Sequence, residues 1–205
     1  MKKLFSLILL LSFSIKAQDV TIGSQTWTTK NLNLTKYRNG DAIPEVQDEK
    51  AWENLTTGAW CYYENKTANG STYGKLYNWH AVNDPRGLAP KGYHIPSDAE
   101  WTTLTDNLGG LSIAGTKMKS TSGWENGGGT NTSGFFGLPG GERLSNGTFL
   151  NIFGIGQWYS SSEVDNSEGG IGCCAWSRNF LSEHGFVSKN GMGKGDGYSV
   201  RCLRD

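Results

Sequence analysis

The chain has 205 residues, 19 basic and 19 acidic side chains, a formal net charge of zero and a mean hydropathy of −0.48. That balance gives no reason to expect a nucleic-acid partner, and the length suffices for one domain with its own core. With 29 glycines and eight each of Trp, Tyr and Phe, the composition predicts a loop-rich α+β domain built on large rings rather than long helices.

Lys2 and Lys3 precede an apolar stretch over 4–15, and Ala17-Gln18 offers a small-residue cleavage site. The pattern predicts a signal peptide over 1–17, too short for a membrane anchor, and one domain over 18–205 that is secreted to the periplasm or cell surface. No cysteine follows the apolar run, so no lipid anchor is expected, and no other stretch predicts a membrane span. Removing this segment takes three of the 19 lysines and arginines and no acid, leaving 16 basic against 19 acidic groups.

Short strands are expected at 20–22 and 25–28, joined at Gly23-Ser24. Asn39-Gly40 suits a turn with positive φ. Ala51, Trp52 and Leu55 fall at helical spacing with Gly58 beyond, which predicts a short helix over 48–55. A strand follows at 60–63, then a polar loop over 65–74. Residues 73–82 fit either a helical turn or a strand.

The best-specified stretch is GYHIPSDAEW, 92–101. Pro96 pushes Ile95 towards an extended conformation. Ser97 and Glu100 have the spacing of a capping box, and Asp98 and Glu100 put negative charge at the positive end of the helix dipole. Trp101, Leu104 and Leu108 then form one apolar stripe, and Gly109-Gly110 ends a helix over 97–108. Beyond it, 115–120 reads as a strand and 123–134 as a polar loop. A hairpin is expected over 139–149 with Asn146-Gly147 at its turn. Strands are expected at 157–161, 175–181, 185–189 and 198–203. In the last, Tyr198, Val200 and Cys202 share one face, and Ser199 and Arg201 the other.

Beside GYHIPSDAEW stand RNGDAIPE (38–45), AWCYYEN (59–65), YGKLYNWHAVNDPRGLAPK (73–91), LTDNLGG (104–110), SGFFGLPGGER (133–143), WYSSSE (158–163) and GYSVRCLRD (197–205). In this order they resemble the Fibrobacter succinogenes major paralogous domain, a family of secreted bacterial domains. More distantly, HIPSDAEW resembles the RLPTEAEW of the formylglycine-generating enzymes, which implies a C-type-lectin-like fold. That architecture has short, mostly antiparallel strands, two or three short helices, long loops and termini meeting in one sheet. Those enzymes bind copper through a Cys-x4-Cys pair near the C-terminus. Here that stretch holds only Cys202, so the oxidase chemistry does not carry over.

Four cysteines, Cys61, Cys173, Cys174 and Cys202, allow three pairings. Consecutive Cα atoms lie about 3.8 Å apart, short of the roughly 5.5–6 Å that a disulfide prefers. The expected bridge is therefore Cys61–Cys202, closing a loop of about 140 residues and worth about 4–5 kcal/mol in the chain-entropy model. Of Cys173 and Cys174, one is then buried and one free, or the two bridge weakly, with a vicinal redox switch or soft-metal site as the functional alternative.

His80, His94 and His184 form no metal-binding or catalytic pattern, and His94 is expected to be satisfied by backbone groups. The three serines at 160–162 lack a nucleophile elbow. Glu163, Asp165, Asn166 and Glu168 cluster closely enough to raise calcium, although without a known loop spacing; no other cofactor is expected. Trp52, Trp79 and Trp101 lie on apolar patterns and are assigned to the core. Trp124, Tyr159, Trp176 and Arg178, with Glu163, are the candidate ligand-binding residues, since aromatics with polar neighbours suit stacking on sugars or gripping a peptide. The first expectation is a non-catalytic domain that binds a glycan or protein at the bacterial cell surface. Two alternatives stand beside it: an enzyme with altered chemistry, and a structural or adhesive component of the envelope.

Overall fold

A computed structural model describes residues 19–165 and 172–205. The expected signal peptide lies outside those residues. The first hairpin forms as its pattern requires: β1 (Asp19–Ile22) and β2 (Gln25–Thr28) pair antiparallel, with Val20 opposite Trp27. Asp48 caps α1 (Glu49–Glu53) by accepting the Ala51 N–H, and the helix buries Trp52. β3 (Trp60–Cys61) ends early and passes into a short 3-10 turn, Tyr63–Asn65.

Two elements overturn the local reading. Residues expected as a polar loop form α2 (Thr67–Tyr73). Its sequence is a poor helix former, but Gly70 lies against the Tyr62 ring, where an added Cβ would sit 2.1 Å from a ring carbon. The expected strand over 115–120 is instead the end of α5 (Leu111–Met118). Gly109 and Gly110, at φ 99° and 90°, turn the chain straight from one helix into the next. Ala114, Gly115 and Met118 form the buried face of α5, and Gly115 lets it approach the Gly185 and Phe186 carbonyls. The ambiguous stretch splits into β4 (Leu76–Tyr77) and α3 (Trp79–Val82). There are thus five α-helices among the described residues rather than two or three.

β5 (Tyr93–His94) leads through Pro96 into α4 (Asp98–Asn107), and both halves of its capping box are made. The hairpin β6 (Glu142–Arg143) and β7 (Phe149–Leu150) pairs antiparallel. The longest strands are β8 (Ile155–Glu163), β9 (Cys174–Leu181) and β10 (Val187–Gly193), which form one antiparallel sheet in the order β10-β9-β8. β11 (Leu203–Arg204) inserts between β2 and β5 in a sheet ordered β1-β2-β11-β5, so both ends of the described chain share one sheet.

Rings fill the space between these layers. Trp27, Trp101, Phe135, Trp158 and Phe180 are fully buried, with centroids 4.8 Å apart for Trp27–Trp101 and Trp158–Phe180 and 5.9 Å for Phe135–Trp158. A second cluster gathers Tyr77, Tyr159, Tyr198 and Cys202, and a third Trp52, Cys61 and Leu76.

Buried cations fasten the loops around those rings. Arg201 donates to the Thr28 and Phe135 carbonyls, each at 2.7 Å, to the Phe136 carbonyl at 2.8 Å and to Asn31 Oδ1 at 2.7 Å. Arg143 donates to the Val46, Gln47 and Gly147 carbonyls and lies over the Trp52 ring. Lys119 donates to the carbonyls of Leu181, Ser182 and His184. A buried carbonyl without a partner costs about 1–3 kcal/mol, so each cation removes several such penalties at once.

The expected Cys61–Cys202 bridge is not made. Both thiols are free and buried, and they belong to different core clusters, Cys61 beside Trp52 and Cys202 beside Tyr198. Burial pushes each up to about 12. The sulfurs that do come within reach of one another are those of the neighbours Cys173 and Cys174.

Candidate functional site

The five expected ligand residues do not share one open face. Trp124 is buried and donates its indole N–H to Ser120 Oγ at 3.0 Å. Tyr159 is buried, with its hydroxyl bonded to the Gly193 and Asp196 carbonyls. Arg178 is also buried and pairs with Asp98 at 2.7 Å. Only Trp176 and Glu163 reach the surface, and both are engaged. Lys189 lies 3.9 Å from the Trp176 ring centroid, and Lys194 pairs with Glu163 at 3.0 Å. Polar neighbours in the sequence do not set the exposure of these side chains: the Trp124 and Tyr159 rings pack into two of the core clusters.

The calcium expectation rests partly on Asn166 and Glu168, which lie outside the described residues. Among the described residues, no three His, Cys, Asp or Glu side chains are grouped to hold a metal ion.

The candidate site is instead assembled at the start of α4. Ser97 Oγ accepts the Glu100 N–H, while Glu100 Oε2 accepts the Ser97 N–H and hydroxyl, both at 2.8 Å. This fixes the Glu100 carboxylate and leaves Oε1 free to face β5. There His94 Nε2 meets it at 2.9 Å. The other ring nitrogen, Nδ1, meets Asp205 Oδ1 at 2.8 Å. The pairing of Leu203 with His94 carries Asp205 to this position across 111 residues of sequence. His94 is thus satisfied by two carboxylates, not by the backbone groups expected from its place in the sequence.

The electrostatics follow from this arrangement. Burial lowers the His94 pKa, but hydrogen bonds and charge from Asp205 and Glu100 outweigh it and raise the value above the ordinary 6.5. Burial raises the Glu100 pKa, but the Ser97 N–H, the Ser97 hydroxyl and His94 outweigh it and bring the value below 4.5. When the ring is protonated, both nitrogens donate, one to each acid.

Beside this trio opens a cleft of about 340 Å³ between the β1–β2 turn and the C-terminal strand. Ser24 is exposed at its rim, and Thr26 and Gln25 line the wall. Gln25 is held by donating to the Glu100 carbonyl and accepting the Trp27 indole N–H. Arg204 lines the cleft and pairs with Asp19, which also accepts the Tyr93 hydroxyl at 2.8 Å. The lining therefore presents carboxylate acceptors, hydroxyls and cationic donors together.

A serine, a histidine and an aspartate meet here, but not as a nucleophilic triad. That chemistry needs an imidazole nitrogen available to the hydroxyl. Nε2 is held by Glu100 and Nδ1 by Asp205. The set is suited to exchanging hydrogen bonds with a polar ligand.

The model of the Fibrobacter succinogenes major domain matches residues 20–204. No curated protein and no solved structure matches the chain.

Proposed function

The chain belongs to the Fibrobacter succinogenes major domain family, and we propose that it is an exported, non-catalytic binding domain at the bacterial cell surface whose His94 cleft takes a hydroxyl-rich ligand, the exposed end of a glycan. The observation that carries this reading is the engagement of both His94 nitrogens by carboxylates at the edge of an open polar cleft. A sugar offers adjacent hydroxyls that both donate and accept, and carboxylates with nearby cations recognise that pattern. Export rests on the signal-like stretch 1–17. The meeting of both ends of the described chain in one sheet supports the lectin-like scaffold that the sequence resemblance implies.

A glycan array probed with residues 18–205 tests the reading. Binding to a restricted set of glycans is expected, abolished by Ser24→Trp, which fills the rim from an exposed position. Signal equal for both proteins, or none at high protein concentration, contradicts it. Binding only to surface proteins in a pull-down moves the ligand from glycan to polypeptide.

A histidine between two acids is also an acid–base set, and this favours the enzyme as a second reading. It requires that ligand binding release one ring nitrogen. Turnover of a bound glycan, lost in His94→Gln, would establish it.

A further inference from the structure

The Cys173–Cys174 disulfide at the start of β9 does not do what disulfides usually do in exported domains. A cross-link stabilises by closing a loop in the unfolded chain, and its effect grows with the length enclosed. A bridge between sequence neighbours encloses nothing. The cysteines whose union would close a long loop, Cys61 and Cys202, are unbonded and buried. With their thiols pushed up to about 12, neither supplies a thiolate at neutral pH.

Chain connectivity holds the bridged Cα atoms 3.8 Å apart, whereas disulfides usually span about 4.4–6.8 Å. A bridge outside that window is more easily reduced, and exposed bridges of this kind are the labile ones. Cys173 is exposed and Cys174 half-exposed. Their backbone is secured independently of the sulfurs. The Lys194 N–H donates to the Cys173 carbonyl at 3.1 Å, and the Val164 N–H to the Cys174 carbonyl at 3.0 Å. Cys174 also lies opposite Gly193 in the β9–β10 ladder. The bond can therefore open while the ends of three strands stay in place.

We propose that Cys173–Cys174 is a thiol–disulfide exchange site whose reductant is a dithiol. One thiolate of the dithiol attacks the exposed Cys173 Sγ. The S–S bond breaks, and Cys174 Sγ leaves with the electron pair and takes a proton from water. The second thiolate of the dithiol attacks its own sulfur in the mixed disulfide, and Cys173 leaves as a thiolate that is protonated in turn. The dithiol ends as a disulfide, and the cysteine pair ends reduced by two electrons and two protons.

Dithiothreitol serves as the probe, with native alkylation by iodoacetamide read by peptide mass. Without reductant no cysteine is alkylated. With dithiothreitol, Cys173 and Cys174 each gain one group, Cys61 and Cys202 gain none, and the melting temperature is unchanged. Resistance to dithiothreitol until the protein is denatured overturns the proposal. So does a fall in melting temperature of about 10 °C on reduction, the scale of a structural cross-link. Cys173→Ser gives a second arm: Cys174 is then alkylated with no reductant, and failure of that reaction closes the site to reagents and ends the proposal.

Discussion

Arg201 and His94 both have their side-chain nitrogens engaged, by opposite kinds of partner. Arg201 is buried among main-chain carbonyls and an amide oxygen, and no acid is among its hydrogen-bond partners. His94 is half-exposed between two carboxylates. The first arrangement binds loops together through acceptors that carry no charge. The second depends on protonation and has water at its edge, so a ligand can compete for its hydrogen bonds. The difference separates what holds this fold from what can act.

The largest effect expected from that contrast is at Arg201. Arg201→Met keeps bulk but removes the donor to three carbonyls, while Asn31 Oδ1 keeps the Trp158 indole N–H. A loss of about 3–5 kcal/mol is expected in denaturant unfolding. A loss under 1 kcal/mol would mean the guanidinium is not what holds these loops. Next comes the cap beneath the site. Ser97→Ala removes one half of the capping box and the hydroxyl bond to Glu100, leaving the main-chain N–H bond in place, and about 1 kcal/mol is expected. This appears as a fall in melting temperature of about 2–4 °C.

A smaller effect distinguishes the regions by pH. The His94 pKa is raised on folding, so its contribution is fully present below about pH 6.5 and is lost as pH rises past that value. The Glu100 pKa is lowered, so its contribution is present above about pH 4.5 and is lost as pH falls. The melting temperatures of wild type and His94→Gln should therefore differ most between those limits and converge at alkaline pH. A constant gap up to pH 9 would contradict the assignment. The smallest effect is at Asp205→Asn, on an exposed terminal residue. Stability should change by no more than about 0.5 kcal/mol, while glycan binding weakens.

Much of the frame was legible in the sequence. The β1–β2 hairpin, α1, the Ser97 capping box and the β6–β7 hairpin are local events, set by turn residues and caps a few positions apart. The helices α2 and α5 were not read. α2 has little intrinsic preference for helix, and its Gly70 packs against Tyr62 too closely for a side chain. In α5, Ala114, Gly115 and Met118 form a buried face that runs across the boundary at 115 where the strand was expected. The site was half-legible. Glu100 and His94 stand in one motif, but Asp205 joins them only through β11 pairing with β5, which no local signal announces. The burial of Tyr159 and Arg178 has the same origin, since their partners, Gly193, Asp196 and Asp98, come from distant segments.

The most direct test of the cleft as the ligand site is an NMR titration with the strongest glycan from the array, following backbone amides and the His94 imidazole. Shifts centred on His94, Thr26 and Arg204, with the imidazole nitrogens moving as the acids exchange partners, are the predicted result. Shifts confined to Trp176 and Lys189, with His94 unmoved, would place the ligand elsewhere and contradict the account.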